Sequence, residues 1–139
     1  MSWESDRLDD QNWLTEGDPS GMLRAVAASA AQVRISHRSV RETDLTRVIG
    51  EGRPRAIVVA GMGGSGIAGD ILDAVCGNGA PLPIVTVRSY QLPGWVGATD
   101  LVVAVSCSGK TEETLAVATE AVRRGCRLLV LAAANSPLH

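Results

Sequence analysis

The run Ala56-Ile57-Val58-Val59-Ala60-Gly61-Met62-Gly63-Gly64-Ser65-Gly66-Ile67-Ala68-Gly69-Asp70 decides the architecture of this chain. A continuous apolar run ends at a glycine-dense turn, and the turn opens into a helical stretch expected at about 66–76. Apolar residues without polar alternation are what a strand buried on both faces of a parallel sheet requires. The pattern recurs in Pro83-Ile84-Val85-Thr86-Val87, in Leu101-Val102-Val103-Ala104-Val105 and in Leu128-Leu129-Val130-Leu131. A second helical stretch is expected at about 112–124, between the third and fourth of these runs. Tyr90-Gln91-Leu92-Pro93-Gly94-Trp95 is too short for a full helix and predicts an irregular crossover. Together these elements predict an α/β fold, a doubly wound, mostly parallel sheet with flanking helices and ligands beyond the carboxyl ends of its strands.

Upstream the pattern changes to helical stripes. Asp18-Pro19 reads as a helix start, and Met22, Leu23, Val26, Ala27, Ala30 and Val33 fall on one face, so an amphipathic N-terminal helix is expected over 19–36. Arg34, His37, Arg38 and Arg41 gather near its end, where cations suit the helix dipole. Residues 1–17 read as a polar leader with two tryptophans, Trp3 and Trp13, that need a surface to pack on. This leader is acidic and lacks the basic flank and apolar run of a signal peptide, so a cytoplasmic location is the default expectation.

At 139 residues, 45% hydrophobic and 20% charged, the chain fits one globular domain and excludes disordered, collagenous and transmembrane classes. Aromatics are 3% with no Phe, so the core has to be built from Ala, Val and Leu. A net charge of -2 offers no basic surface for nucleic acid or an acidic membrane, and neither partner is expected. Cys76, Cys107 and Cys126 are an odd set without CxxC spacing and lie far from His37 and His139, so neither disulfides nor a metal site is expected.

Two loops leave strands at the ligand-binding end. In the first, Gly61, Gly63 and Gly66 satisfy G-x-G-x-x-G, a tight turn that aims amides at a phosphate. A dinucleotide site usually places an acidic residue at the end of the next strand to hold the ribose. This chain has Arg88 and Ser89 there, and Arg88 can accommodate a 2'-phosphate, which leaves NADP open beside a ligand-free turn. The second loop is Ser106-Cys107-Ser108-Gly109-Lys110-Thr111-Glu112-Glu113-Thr114. Ser106, Ser108 and Thr111 offer hydroxyls and the helix start offers amides, together a cradle for a phosphate ester. A Walker A reading of Gly109-Lys110-Thr111 fails because position 104 is Ala and not Gly. Glu112 and Glu113 suit the helix dipole or a ligand role, and Thr111 suits a helix cap or a ligand role. Two such loops on one sheet favour one small phosphorylated ligand over a long dinucleotide.

The glycine loop, the Tyr90-x-Leu92-Pro93 element and the Ser106-x-Ser108-Gly109-x-Thr111-Glu112-Glu113-Thr114 loop, in this order, resemble the sugar isomerase (SIS) domain family. Within it they are most similar to the bifunctional phosphoglucose/phosphomannose isomerases of archaea and bacteria, over roughly residues 18–132. The resemblance implies an SIS-type fold, a sugar phosphate as partner, no redox cofactor, no obligatory metal and a tendency to dimerise. It places Gly64 and Ser65 against the sugar and Ser106, Ser108 and Thr111 around the phosphate. Family members usually have an aromatic and an asparagine where this sequence has Cys107 and Lys110. Two roles stay open for Lys110, added charge at the phosphate or a solvent-facing side chain. For Cys107, the lack of a neighbouring histidine favours packing over a reactive thiol.

Interconverting aldose and ketose phosphates needs ring opening and a base that moves a proton between C1 and C2. The resemblance implies that the glutamate base and the ring-opening histidine come from the family's second half. Neither His37, near an arginine-rich helix end, nor His139, at a position expected to be mobile, fits those roles, and no catalytic residue is assigned. The expected organisation is a polar leader at 1–17, a helical lead-in at 18–50 and a partial SIS domain at 51–139, inactive alone. Its sheet edge is expected to be open, or covered by a second copy or another partner. Two alternatives stand beside this reading, a non-catalytic module for sugar-phosphate sensing or assembly, and an NAD(P)-binding fragment.

Overall fold

The computed structural model describes residues 5–49 and 52–139, and the chain divides into two compact units after Asp44. In the first unit a 3-10 turn over Ser5–Asp9 leads into α1 (Gln11–Gly17). Asp10 caps α1 by accepting the Asn12 and Trp13 amides at 3.0 and 3.1 Å. The described part of the polar leader is therefore largely helical, which its composition concealed. Trp13 is 44% exposed and packs under the Arg7 guanidinium, whereas Trp3 lies outside the described residues.

The amphipathic helix is α2 (Met22–Glu42), starting later and ending later than the expected 19–36. Asp18-Pro19-Ser20-Gly21 forms a turn instead of a first helical turn, and Gly21, at φ +69°, occupies the cap position. Asp18 still serves the helix start across that turn, since its carboxylate accepts the Met22 and Leu23 amides at 2.8 and 2.7 Å. Those bonds hold its pKa below the usual carboxylate value. No residue of α2 is buried.

In the second unit α3 (Thr46–Ile49) precedes β1 (Ile57–Ala60), α4 (Gly63–Cys76), β2 (Ile84–Val87), β3 (Leu101–Ser106), α5 (Glu112–Arg123) and β4 (Arg127–Ala132). The strands form one all-parallel sheet in the order β2-β1-β3-β4, so the expected α/β fold holds. Ile57 stands beside both Ile84 and Leu101, and Leu101 beside Arg127. From the central β1–β3 pair the chain walks outward in opposite directions, through α4 to β2 and through α5 to β4. With right-handed crossovers, α4 and α5 cover opposite faces, and the reversal of strand order falls between β1 and β3.

The core is aliphatic, as the lack of Phe requires. Val58, Ala60, Val102, Val117 and Ala121 are essentially inaccessible and form one cluster with Val87, Leu92, Val96 and Cys126. Burying each such valine contributes about 1.5–3 kcal/mol. A second cluster joins Ala104 and Ala118 to Leu138.

The segment between β2 and β3 is irregular, as expected, and side chains anchor it. Glu120 of α5 accepts the Leu92 amide at 2.9 Å, and Arg124 donates to the carbonyls of Pro93 and Val96 at 2.7 and 3.0 Å. Asp100, fully buried, accepts Arg55 Nε and Nη2 at 3.0 and 2.6 Å and the Gly97 amide at 2.9 Å. The Tyr90-x-Leu92-Pro93 element thus inserts Leu92 into the core and fixes the crossover to α5. Among the described residues no helix is long and apolar enough to cross a membrane.

Candidate functional site

Strand order places the two loops singled out above side by side. The glycine loop follows β1, the serine-rich loop follows β3, and these strands are hydrogen-bonded neighbours. The two loops touch where the Cys107 amide donates to Ser65 Oγ at 3.3 Å.

Ser106 is the last residue of β3 and is 1% exposed. Its hydroxyl accepts the Gly109 amide at 3.0 Å and pairs with the Thr111 hydroxyl at 2.9 Å. Thr111 stands at the N-cap of α5, yet its side chain makes no cap hydrogen bond, so of the two roles left open for it the hydroxyl cap is not the one it takes. The nearby Ser106 hydroxyl competes for it. At the start of α4 the cap position is held by Met62, which likewise makes no side-chain cap bond. Two helix N-termini, of 14 and 12 residues, therefore open at one end of the sheet without a side-chain acceptor. Their dipoles and free amides favour an anion there.

Of the five residues expected to bind substrate, Ser106 and Thr111 form one hydrogen-bonded pair, and Ser65 accepts the amide of Cys107, the residue after Ser106. Gly64 lies exposed beside Ser65 in the first turn of α4. The exposed Ser108 turns its hydroxyl to the Lys110 amide at 3.2 Å, within its own loop. Lys110 and Cys107 are both exposed.

The cation at the end of β2 is already partnered. Arg88, at the end of β2, is ion-paired with Asp70 of α4. Its Nε fills the space a Gly66 side chain would need, 2.8 Å from where a Cβ would stand. The guanidinium weighed for a 2'-phosphate is thus engaged by an aspartate that the sequence reading passed over. Its signal was an acid one helical turn after Gly66, facing the end of the next strand. Glu113 faces Tyr90, whose hydroxyl is pushed above its usual pKa first by the Glu113 charge, then by burial, then by Glu112.

Sequence reasoning also passed over the segment after β4. Leu138 is buried, and its amide donates to the Gly109 carbonyl at 3.1 Å. The signal was the turn-prone Asn135-Ser136-Pro137 followed by a leucine. Among the described residues no group of three or more His, Cys, Asp or Glu side chains is placed to hold a metal ion. A recess of about 510 Å³ opens at the opposite end of the sheet, lined by Arg53, Pro54, Arg55 and Pro83 among others. Parallel sheets of this kind bind ligands at the carboxyl ends of their strands, and Arg55 in that recess is committed to Asp100.

No family model matches the chain. Curated proteins do match it. It is 43% identical over 72 residues to a bifunctional phosphoglucose/phosphomannose isomerase of Thermoplasma acidophilum, covering 52% of this chain and 22% of that protein. A protein of the same name from Caldicellulosiruptor bescii is 36% identical over 75 residues, covering 54% of this chain and 22% of its own length. The one from Thermoplasma volcanium is 35% identical over 85 residues, covering 61% and 27%. The resemblance read from the motifs thus holds over about half of the chain, and the match spans about a quarter of the relatives' length.

Proposed function

We propose that this chain binds the phosphate of a hexose 6-phosphate at Ser106, Ser108 and Thr111, with the sugar lying toward Gly64 and Ser65. On this reading it is the phosphosugar-binding SIS part of an isomerase that interconverts glucose 6-phosphate or mannose 6-phosphate with fructose 6-phosphate. One observation carries the reading: two helix N-termini without side-chain caps meet at the strand-order reversal, beside the Ser106–Thr111 hydroxyl pair. The names of the relatives support the same ligand class.

The chemistry follows from the phosphate's charge. A dianion replaces water at the start of α5, where the dipole and unpaired amides favour it. The Ser106 and Thr111 hydroxyls, which share one hydrogen bond, can rotate to donate to phosphate oxygens as charge-assisted bonds. Anchoring the phosphate orients the sugar across the gap toward α4. The proton transfer between C1 and C2 is assigned to none of this chain's residues, so the role proposed for the chain is binding and orientation. Its setting is the cytoplasm, with a second copy or another partner along β4, which pairs only with β3 among the described residues.

Calorimetric titration of the chain with fructose 6-phosphate, fructose and NADP tests this. Saturable binding of the phosphosugar is expected, with fructose inert. Changing Ser106 and Thr111 together to Ala should weaken it about a hundredfold, since two hydrogen bonds to a charged group are lost. Preferential binding of NADP, or equal binding of fructose, contradicts the reading.

A further inference from the structure

The turn after β4 is built against the phosphate loop. Asn135 adopts φ +60°, rare outside glycine, and the His139 amide closes the turn onto the Ser136 carbonyl at 3.0 Å. Beyond it Leu138 is 8% exposed, seated against Ala104 of β3 and Ala118 of α5. This hydrophobic plug fixes the position of its own backbone, whose amide donates to the Gly109 carbonyl. Gly109 is in turn the residue on which the loop pivots. It is buried at φ +62°, and its amide is the one held by Ser106. The Ser136 side chain occupies the space where a Cβ on Gly109 would stand. Ser136 Oγ is buried without a hydrogen-bond partner, so its contribution at this position is steric.

We propose that Leu138 and Ser136 are positioning residues for the phosphate loop. They hold Gly109 in its left-handed conformation from behind and so keep the Ser106–Thr111 cradle formed before a ligand arrives. An anion site made of amides and hydroxyls gains affinity when it is ordered in advance, because the ordering is not then charged against binding. The affinity role rests on the phosphosugar reading of that loop, while the ordering role does not.

Two readouts on the full chain separate them. The first is amide hydrogen exchange at Gly109 and Lys110 without ligand, and the second is the dissociation constant for fructose 6-phosphate. Leu138→Ala should speed exchange at both amides at least tenfold and weaken binding about tenfold, and Leu138→Met, which refills the same space, should restore both. Val96→Ala empties a comparably buried site in the other core cluster and should leave the dissociation constant within twofold. Should Leu138→Ala fail to fold, a second pair applies. Ser136→Gly, which empties the space beside Gly109, should speed exchange at Gly109 and Lys110 and weaken binding about threefold, whereas Ser136→Ala, which keeps a Cβ there, should leave both within twofold.

A folded Leu138→Ala variant with unchanged exchange and unchanged binding overturns the positioning role, as does a Ser136→Gly variant that behaves like the unaltered chain. If the unaltered chain binds no fructose 6-phosphate while Leu138→Ala still frees the Gly109 amide, the ordering role stands and the phosphosugar reading falls.

Discussion

Asp100 is fully buried, yet it is a carboxylate in a domain whose interior is mainly aliphatic. Its cost is offset by Arg55, which reaches it with two guanidinium nitrogens and stacks over Trp95, and by the Gly97 amide. Asp100→Asn keeps the shape but removes the charge, and should lower stability by about 2 kcal/mol in urea unfolding. Gly66 makes a complementary point about space. A Cβ there would lie 2.6 Å from the Gly61 carbonyl oxygen, a backbone atom that cannot move aside. Gly66→Ala should therefore lower stability by about 1–3 kcal/mol by overpacking, and removing the Arg88 side chain as well should not restore it. These residues differ in how visible they were. Gly66 was legible because a tight strand-to-helix turn imposes glycine locally. Asp100 was not, because nothing near it in sequence signals an arginine that only the β1–β3 pairing brings alongside.

At the scale of elements, the four strands were readable to within a residue or so, because continuous apolar runs have one stable use in an α/β chain. Helix ends were less so. The start of α2 shifted to Met22 because a side chain four and five residues upstream satisfies its first amides, a bond that mimics a nearer cap. The crossover between β2 and β3 was legible as irregular but not as anchored, since its anchors are Glu120 on α5 and Arg124 just beyond its end. Glu120→Ala removes the acceptor of the Leu92 amide, and exchange at that amide should accelerate while exchange within β3 stays slow. Uniform acceleration throughout the unit would show instead that the anchor holds the whole fold. The candidate site was legible as two loops, and their contact through Cys107 and Ser65 needed only the strand order. The support from the segment after β4 was hidden, because a short polar turn gives no periodic signal.

Across the whole second unit, two carboxylates tie stability to pH. The Arg55 hydrogen bond, outweighing burial, and the Gly97 amide hold Asp100 below its usual pKa. The Leu92 amide, followed by Arg124, does the same for Glu120. Each group binds a proton less readily folded than unfolded, so its stabilisation is complete above the ordinary carboxylate range near pH 4 and is lost as pH falls through the lower folded value. Urea midpoints should be flat near neutrality and drop in acid. Asp100→Asn should flatten that drop, and an unchanged acid slope would remove Asp100 from the account.

The claim on which the functional reading depends is that a phosphate ester binds where the loops after β1 and β3 meet. Amide chemical-shift mapping of the chain with fructose 6-phosphate tests this most directly. The account predicts saturable shifts concentrated at Gly64, Ser65 and Ser106–Thr111, with Arg53, Arg55 and Arg127 at the far end of the sheet unmoved. Shifts centred on that arginine-lined recess, or none in a folded chain, would contradict it.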